Sequence, residues 1–367
     1  MNKNQSDTVK GIAILFMVFH HLFYNAQRYL TYSFTGLIVN QEITLSIAKE
    51  MKICVAIFAA LSGYGIYKKT GKLEQEGKYR ARGIISAFFR YYLKLVRDVS
   101  FLTLLIVLLS FAFRFEKRPE TLWGDRWLLG TVSNMVCLPW VFKVKWASSP
   151  WWYLKISILF NLISPFMYMA VKKRGGAVLL ASAVIIPVIG GYNVSHDNIW
   201  RYLPAFIGGM MTAEMRLIDK LRNAADRAVE KASLRKCVIL FAAVLLYAVL
   251  LYFRALFGIK NQIIHAIQAI LIIITVALVM SETGIPVRVL NVFGRNSKYM
   301  WLIHAFIYSQ IMGSALYSYR NIWLIFFVVI AASLAASLAA RKICALLWQG
   351  IMRLSDKTDN LRRSTSI

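Results

Sequence analysis

Two adjacent histidines, His20 and His21, interrupt an otherwise apolar run that begins at Val9. An ionisable group inside a membrane-crossing segment is costly, so its presence points to function. Imidazole can take a proton from a hydroxyl near neutral pH, which makes either ring a candidate general base. His21 lies eleven residues after Lys10. On a helix rising about 1.5 Å per residue that is roughly 16 Å, close to three full turns. Lys10, Ile14 and His21 therefore share a face that leads from the cytoplasmic mouth of the segment toward mid-membrane. His20 points about 100° away. The alternative for His21 is a structural hydrogen bond to a neighbouring helix.

Three further segments carry side chains of interest. Phe58-Ala59-Ala60-Leu61-Ser62-Gly63-Tyr64-Gly65 sets Ser62 among small residues. Small residues permit close helix approach, and Ser62 could instead hydrogen-bond a ligand. No GxSxG context marks it as a nucleophile. Arg82, Ser86, Arg90, Lys94 and Arg97 recur at helical spacing and share one face. That face could grip phosphate groups through arginine, or anchor on anionic lipid. Trp301-Leu302-Ile303-His304 adds another intramembrane histidine, structural or catalytic, with Tyr308 one turn later. His265 is a weaker candidate, and His196 falls in a short external loop. The cysteines, Cys54, Cys137, Cys237 and Cys344, are scattered without a CxxC pair. They suggest neither a metal site nor a disulfide framework.

Apolar helices must position these groups, and the composition provides them. Of 367 residues, 58% are hydrophobic and 17% charged, which is more apolar and less charged than a soluble chain of this length. Blocks of about 20 apolar residues suit helices that cross a bilayer. The alternating segments of roughly ten residues that mark a β-barrel are missing. The expected fold is all-α, a polytopic membrane helical bundle of about ten transmembrane helices. The candidate spans are 9–24, 49–67, 97–115, 151–171, 175–192, 199–213, 236–253, 261–281, 297–317 and 322–341. The first lacks a small-residue cleavage site and reads as a retained span.

The formal net charge is +27, from 44 Lys+Arg against 17 Asp+Glu. The cations cluster in alternate loops: Lys68 to Lys94, Lys172 to Arg174, Arg216 to Arg235, Arg288 with Arg295, and the tail from Lys342. This alternation puts both termini in the cytoplasm and accounts for the basicity without nucleic acid. The loop 116–150 breaks the pattern, with Lys117, Arg118, Arg126, Lys143 and Lys145 beside Trp123, Trp127, Trp140 and Trp146. It reads as an interfacial aromatic belt with a re-entrant segment, as an external surface for an anionic or sugar-containing acceptor, or as a marginal extra span over 127–142. The chain divides into a transmembrane domain, 1–345, and a basic cytoplasmic tail, 346–367, expected to be disordered. No further domain is expected after the last span.

In order along the chain, these segments resemble acyltransferase family 3, bacterial membrane O-acyltransferases that modify cell-surface sugars. Lys10-Gly11-Ile12-Ala13 followed by His21 resembles the family's opening pattern and selects His21 over His20 as its essential histidine. Phe58 to Tyr64 resembles its Phe-x-x-x-Ser-Gly-Tyr signature. Trp152-Tyr153-Leu154 with Pro165, Pro204-Ala205-Phe206-Ile207-Gly208, and Leu302-Ile303-His304 resemble three later motifs. One departure stands out: the family often has Arg-x-x-Arg before its third span, and here Ala87 precedes Arg90. The resemblance implies a multi-pass protein of the bacterial plasma membrane, with acyl-coenzyme A, usually acetyl, as cytoplasmic co-substrate and no metal. The acceptor would be a hydroxyl of a glycan or lipid-linked sugar. His21 would be general base or acyl carrier, and Ser62, Trp152 and His304 would line the cavity. Lys10, Arg90 and Lys94 would meet the coenzyme phosphates, with Arg82, Lys94 or Arg97 replacing the missing arginine. A transporter or flippase of a glycan or lipid-linked intermediate is the alternative that the composition also fits.

Overall fold

Helices in a bilayer satisfy their own backbone polar groups, so one span is joined to the next by close fit and by the few polar side chains turned inward. The computed structural model describes residues 1–113, 119–190, 197–256, 262–280 and 284–364. Among the described residues the regular secondary structure is helical, with one isolated bridge between Thr35 and Asn321. The helices are α1 (Lys3–Phe23), α2 (Ala26–Tyr32), α3 (Gln41–Glu50), α4 (Cys54–Gln75), α5 (Ala81–Ala112), α6 (Pro119–Trp123), α7 (Trp127–Met135) and α8 (Trp152–Gly190). They continue as α9 (Leu203–Glu214), α10 (Leu217–Ala228), α11 (Ala232–Leu256), α12 (Gln262–Val279), α13 (Ile285–Phe306), α14 (Gly313–Tyr317) and α15 (Ile322–Ser364). The protein is an all-α polytopic membrane bundle.

Each predicted span falls on helix, yet the helices are unequal. Five stretches are long and apolar enough to cross a membrane alone: Ala81–Ala112, Ser149–Leu179, Ala232–Leu256, Gln262–Val279 and Ile322–Gly350. α1 and α2, bent by 60°, form a sixth as a pair. α9 has 12 residues, about 18 Å, against a hydrocarbon core of about 30 Å. The predicted fourth and fifth spans are the two halves of α8, separated by a kink at the non-helical Arg174 (φ −146°, ψ 42°), where the basic triplet lies. The predicted ninth ends in a π-turn, Ile307–Ile311, before α14. Predicted span ends at 115, 192, 261 and 281, together with Lys117, Arg118 and His196, lie outside the described residues.

Two helix crossings form the centre of the bundle. Gly11 on α1 lies against the Leu290 carbonyl of α13, and Gly294 on α13 lies against the Asp7 carbonyl of α1. A Cβ at either position would overlap that backbone. Gly63 on α4 and Gly209 on α9 make the same reciprocal contact, with the carbonyls of Phe206 and Ala60. Small residues bring backbones together where apolar side chains gain nothing over lipid. Polar ties reinforce the first crossing. Thr8 Oγ1 donates to Asn291 Oδ1 at 2.9 Å, and Gln5 Nε2 donates to the Ala277 carbonyl of α12 at 3.0 Å.

A buried carboxylate fastens α5 to α13. Asp98 is 3% exposed and accepts from Lys298 Nζ at 2.5 Å and from Arg97 Nε at 2.8 Å. Cys344 Sγ of α15 lies 3.8 Å from the same carboxylate. At the periphery α11 buries none of its residues. An ion pair between its Arg254 and Glu50 of α3 holds one of its ends.

The tryptophan-rich loop is a folded cap over α5. Asn134, fully buried, donates to the carbonyls of Gly130 and Lys145 and accepts from the Ala147 amide. Trp123 Nε1 donates to the Lys145 carbonyl at 2.9 Å, and its ring covers Gly130. Tyr92 and Ser100 of α5 donate to the carbonyls of Val136 and Met135. The possible extra span over 127–142 is not formed: α7 has 9 residues, about 14 Å, too short to cross. Beyond residue 345 the helix α15 continues to Ser364. Leu346, Leu347 and Trp348 prolong the helical apolar pattern there, and Arg97 lies over the Trp348 ring.

The crossings make two expectations. Gly63→Ala should lower the thermal unfolding midpoint in detergent, at a cost of at least about 1–3 kcal/mol for overpacking. Gly65→Ala, on the same helix with open space around it, should leave the midpoint unchanged or raise it, since Ala is the better helix former. Equal melting of the two variants would remove the crossing from this account. Asp98→Ala leaves Lys298 and Arg97 without their carboxylate and should cost about 3–5 kcal/mol, read as loss of monodisperse folded protein.

Candidate active site

The last turn of α1 carries His20 and His21 just before the bend into α2. Their rings diverge, as neighbouring positions on a helix must. His20 Nδ1 donates to the Ala48 carbonyl at 2.8 Å, fastening α1 to α3, and the ring stacks on Tyr24. His21 turns to α13, where its Nδ1 lies 2.7 Å from Nε2 of His304. The two rings are nearly parallel, at 15°, with centroids 5.0 Å apart.

Carbonyl oxygens fix the protons of this pair. His304 is fully buried, and its Nδ1 lies 2.8 Å from the Trp301 carbonyl and 3.1 Å from that of Met300. Carbonyls only accept, so Nδ1 of His304 carries hydrogen and its Nε2 holds the lone pair of the neutral ring. His21 Nδ1 must then donate, which leaves the lone pair of His21 on Nε2. His304 thus sets the tautomer and orientation of His21.

His21 lines a cavity of about 340 Å³ together with Lys52, Trp152, Tyr153, Trp301 and Tyr308. The cavity sits where helices begin and end. Lys52 lies in the 3-10 turn Met51–Ile53 that leads into α4, and Trp152 follows the turn Ser149–Trp151 that leads into α8. Trp151 Nε1 donates to the Leu302 carbonyl at 2.9 Å, locking the start of α8 to α13. Trp152 stacks on Tyr202 at 5.8 Å, and Tyr153 meets Trp301 edge-on at 6.0 Å. Lys52 is half-buried and has no carboxylate partner among the described residues. Beyond the bend, Arg28 Nη1 donates to the carbonyls of His21 and Leu22 at 2.8 and 2.7 Å, capping α1 directly behind the histidine.

The structure thus gathers His21, Trp152 and His304, with His304 one layer behind the cavity wall. Ser62 does not line the cavity and lies against the Tyr153 hydroxyl. Lys10 pairs with Asp7 at 3.1 Å near the start of α1. Arg90 and Lys94 are exposed on α5, whereas Arg97 turns inward to Asp98. His265 Nε2 accepts from Arg254 Nη1 at 3.0 Å, away from this site. Among the described residues no group of three or more His, Cys, Asp or Glu is placed to hold a metal ion. Lys52 and Arg28 escaped the sequence reading because a lone cation at a span boundary looks like loop charge. Burial without an acidic partner distinguishes them, and that is visible only once the helices are assembled.

No curated protein and no solved structure matches the chain. The model of one protein family, described as an acyltransferase domain, matches residues 3–342, a range that contains both crossings, the histidine pair and every residue of the cavity. The chain belongs to acyltransferase family 3 and is a membrane acyltransferase.

Proposed function

We propose that the protein transfers an acyl group, most simply acetyl, from cytoplasmic acyl-coenzyme A to a hydroxyl of a cell-surface glycan or its lipid-linked precursor in the bacterial plasma membrane, with His21 as general base. The observation that carries this reading is the histidine pair beside the cavity, in which the available lone pair falls on His21 Nε2. That atom takes the proton of the acceptor hydroxyl as its oxygen attacks the thioester carbonyl carbon. The carbonyl oxygen becomes an oxyanion, and Lys52 supplies the positive charge facing it. When the tetrahedral species collapses, the carbon–sulfur bond breaks, and the coenzyme thiolate takes the proton back from His21 as it leaves. His304 acts as a positioning residue, accepting from His21 Nδ1 while the imidazolium exists. The exposed Arg90 and Lys94 on α5, with Lys10 near the start of α1, are the residues offered to the coenzyme phosphates.

Membranes containing the protein should move label from acetyl-coenzyme A to envelope glycan. His21→Ala should abolish transfer without loss of inserted protein, and wild-type rates in that variant would overturn the mechanism. His304→Ala should lower kcat by about 10²-fold or more, with the KM for acetyl-coenzyme A unchanged. Lys52→Met should lower kcat by about 10²–10³-fold, and Lys52→Arg should restore part of it. An unchanged kcat in Lys52→Met would remove the oxyanion role.

A further inference from the structure

Next to the histidine cavity lies a second, larger chamber of about 880 Å³. Arg28, Tyr32, Tyr308, Ser309, Gln310 and Tyr317 contribute to its lining. Tyr308 lines both spaces, so the chamber adjoins the cavity that holds His21. The chamber is also tied to the catalytic turn, because Arg28 is bonded to the His21 carbonyl.

Its chemistry differs from that of the smaller cavity. Among the described residues, Arg28 is the one charged residue in the chamber lining, no acidic residue joins it, and no carboxylate pairs with Arg28. Its guanidinium lies 4.8 Å from the Tyr317 ring centre and 5.7 Å from that of Tyr308. Tyr317 is 5% exposed, and its hydroxyl is buried without a hydrogen-bond partner among the described residues. The wall is made by the π-turn Ile307–Ile311 and by Gly313 in the left-handed region (φ +51°), where a regular helix would close the space. π-turns inside helices are frequent at functional sites. The chamber has the size of a ligand site.

We propose that this chamber binds the acceptor, and that it selects a sugar unit carrying a negative charge, with its hydroxyls met by tyrosine, serine and glutamine and its anionic group by Arg28. The proposal rests on the acyl-transfer reading and adds the chemical class of the acceptor and the side from which it reaches His21.

The test is thiol protection in the purified full chain. Ser314, an exposed residue of the chamber wall, is replaced in Ser314→Cys on a Cys237→Ser background, since the other cysteines are buried. The rate of modification by a neutral maleimide is measured with trigalacturonate or maltotriose as probe. Trigalacturonate at about twice its dissociation constant should slow modification about threefold through occupancy, and maltotriose should not. Equal rates with both sugars overturn the proposal. A second measurement fills the chamber with Ser314→Trp or, separately, Ala315→Trp. Transfer to envelope polysaccharide should fall at least about tenfold, a loss of about 1.4 kcal/mol. Wild-type transfer in both variants also overturns it. If the unmodified protein moves no acetyl group, the parent reading fails instead, and the protection experiment still judges the chamber.

Discussion

The hydrogen bond between His21 and His304 exists because α1 and α13 touch backbone to backbone. Side chains larger than hydrogen at Gly11 and Gly294 would push the two helices apart, and a bond of 2.7 Å cannot follow. The crossing lies toward the starts of both helices and the histidines lie toward their ends. The pair is therefore held by the direction of two rods. Thr8 with Asn291 and Trp151 with Leu302 brace that direction on either side.

A second crossing, α4 with α9, does the same for the opposite wall of the cavity. It fixes where α4 starts and hence where Lys52 sits, two residues before Cys54. α8 enters from the folded tryptophan cap and completes the wall with Trp152 and Tyr153. The reactive layer thus lies among helix ends. Helix ends suit chemistry because backbone and side chains there can vary without breaking the packing of the rods. The π-turn after His304 is one such variation.

Much of this architecture was legible in the sequence. Apolar blocks and basic loops gave the all-α membrane bundle, and helical spacing gave His20 and His21 their different bearings, toward α3 and α13. Helical arithmetic gives a residue's bearing around its own axis. It does not say which helices end at the same level, and that is why Ser62 falls behind Tyr153 and Lys10 falls beside Asp7. Span counting suffered for a related reason. α1, α4 and α13 carry the charges that knit the bundle together, so they look less like membrane helices than the peripheral α11 does. Composition left transport and acyl transfer both open, and the family match over residues 3–342 separates them.

α11 carries a further consequence. None of its residues is buried, and paired arginines hold it near both ends: Arg235 bonded to Asp226 at 3.0 Å, and Arg254 bonded to Glu50. Nineteen residues separate the two arginines, about 28 Å along a helix axis, close to the thickness of a bilayer's hydrocarbon core, about 30 Å. A thicker bilayer would draw one of these ion pairs into hydrocarbon, and a thinner one would leave apolar side chains of α11 in water. Tilting could absorb a few ångströms of either mismatch. The outermost helix therefore acts as a gauge, matching the whole bundle to membranes within a narrow range of thickness.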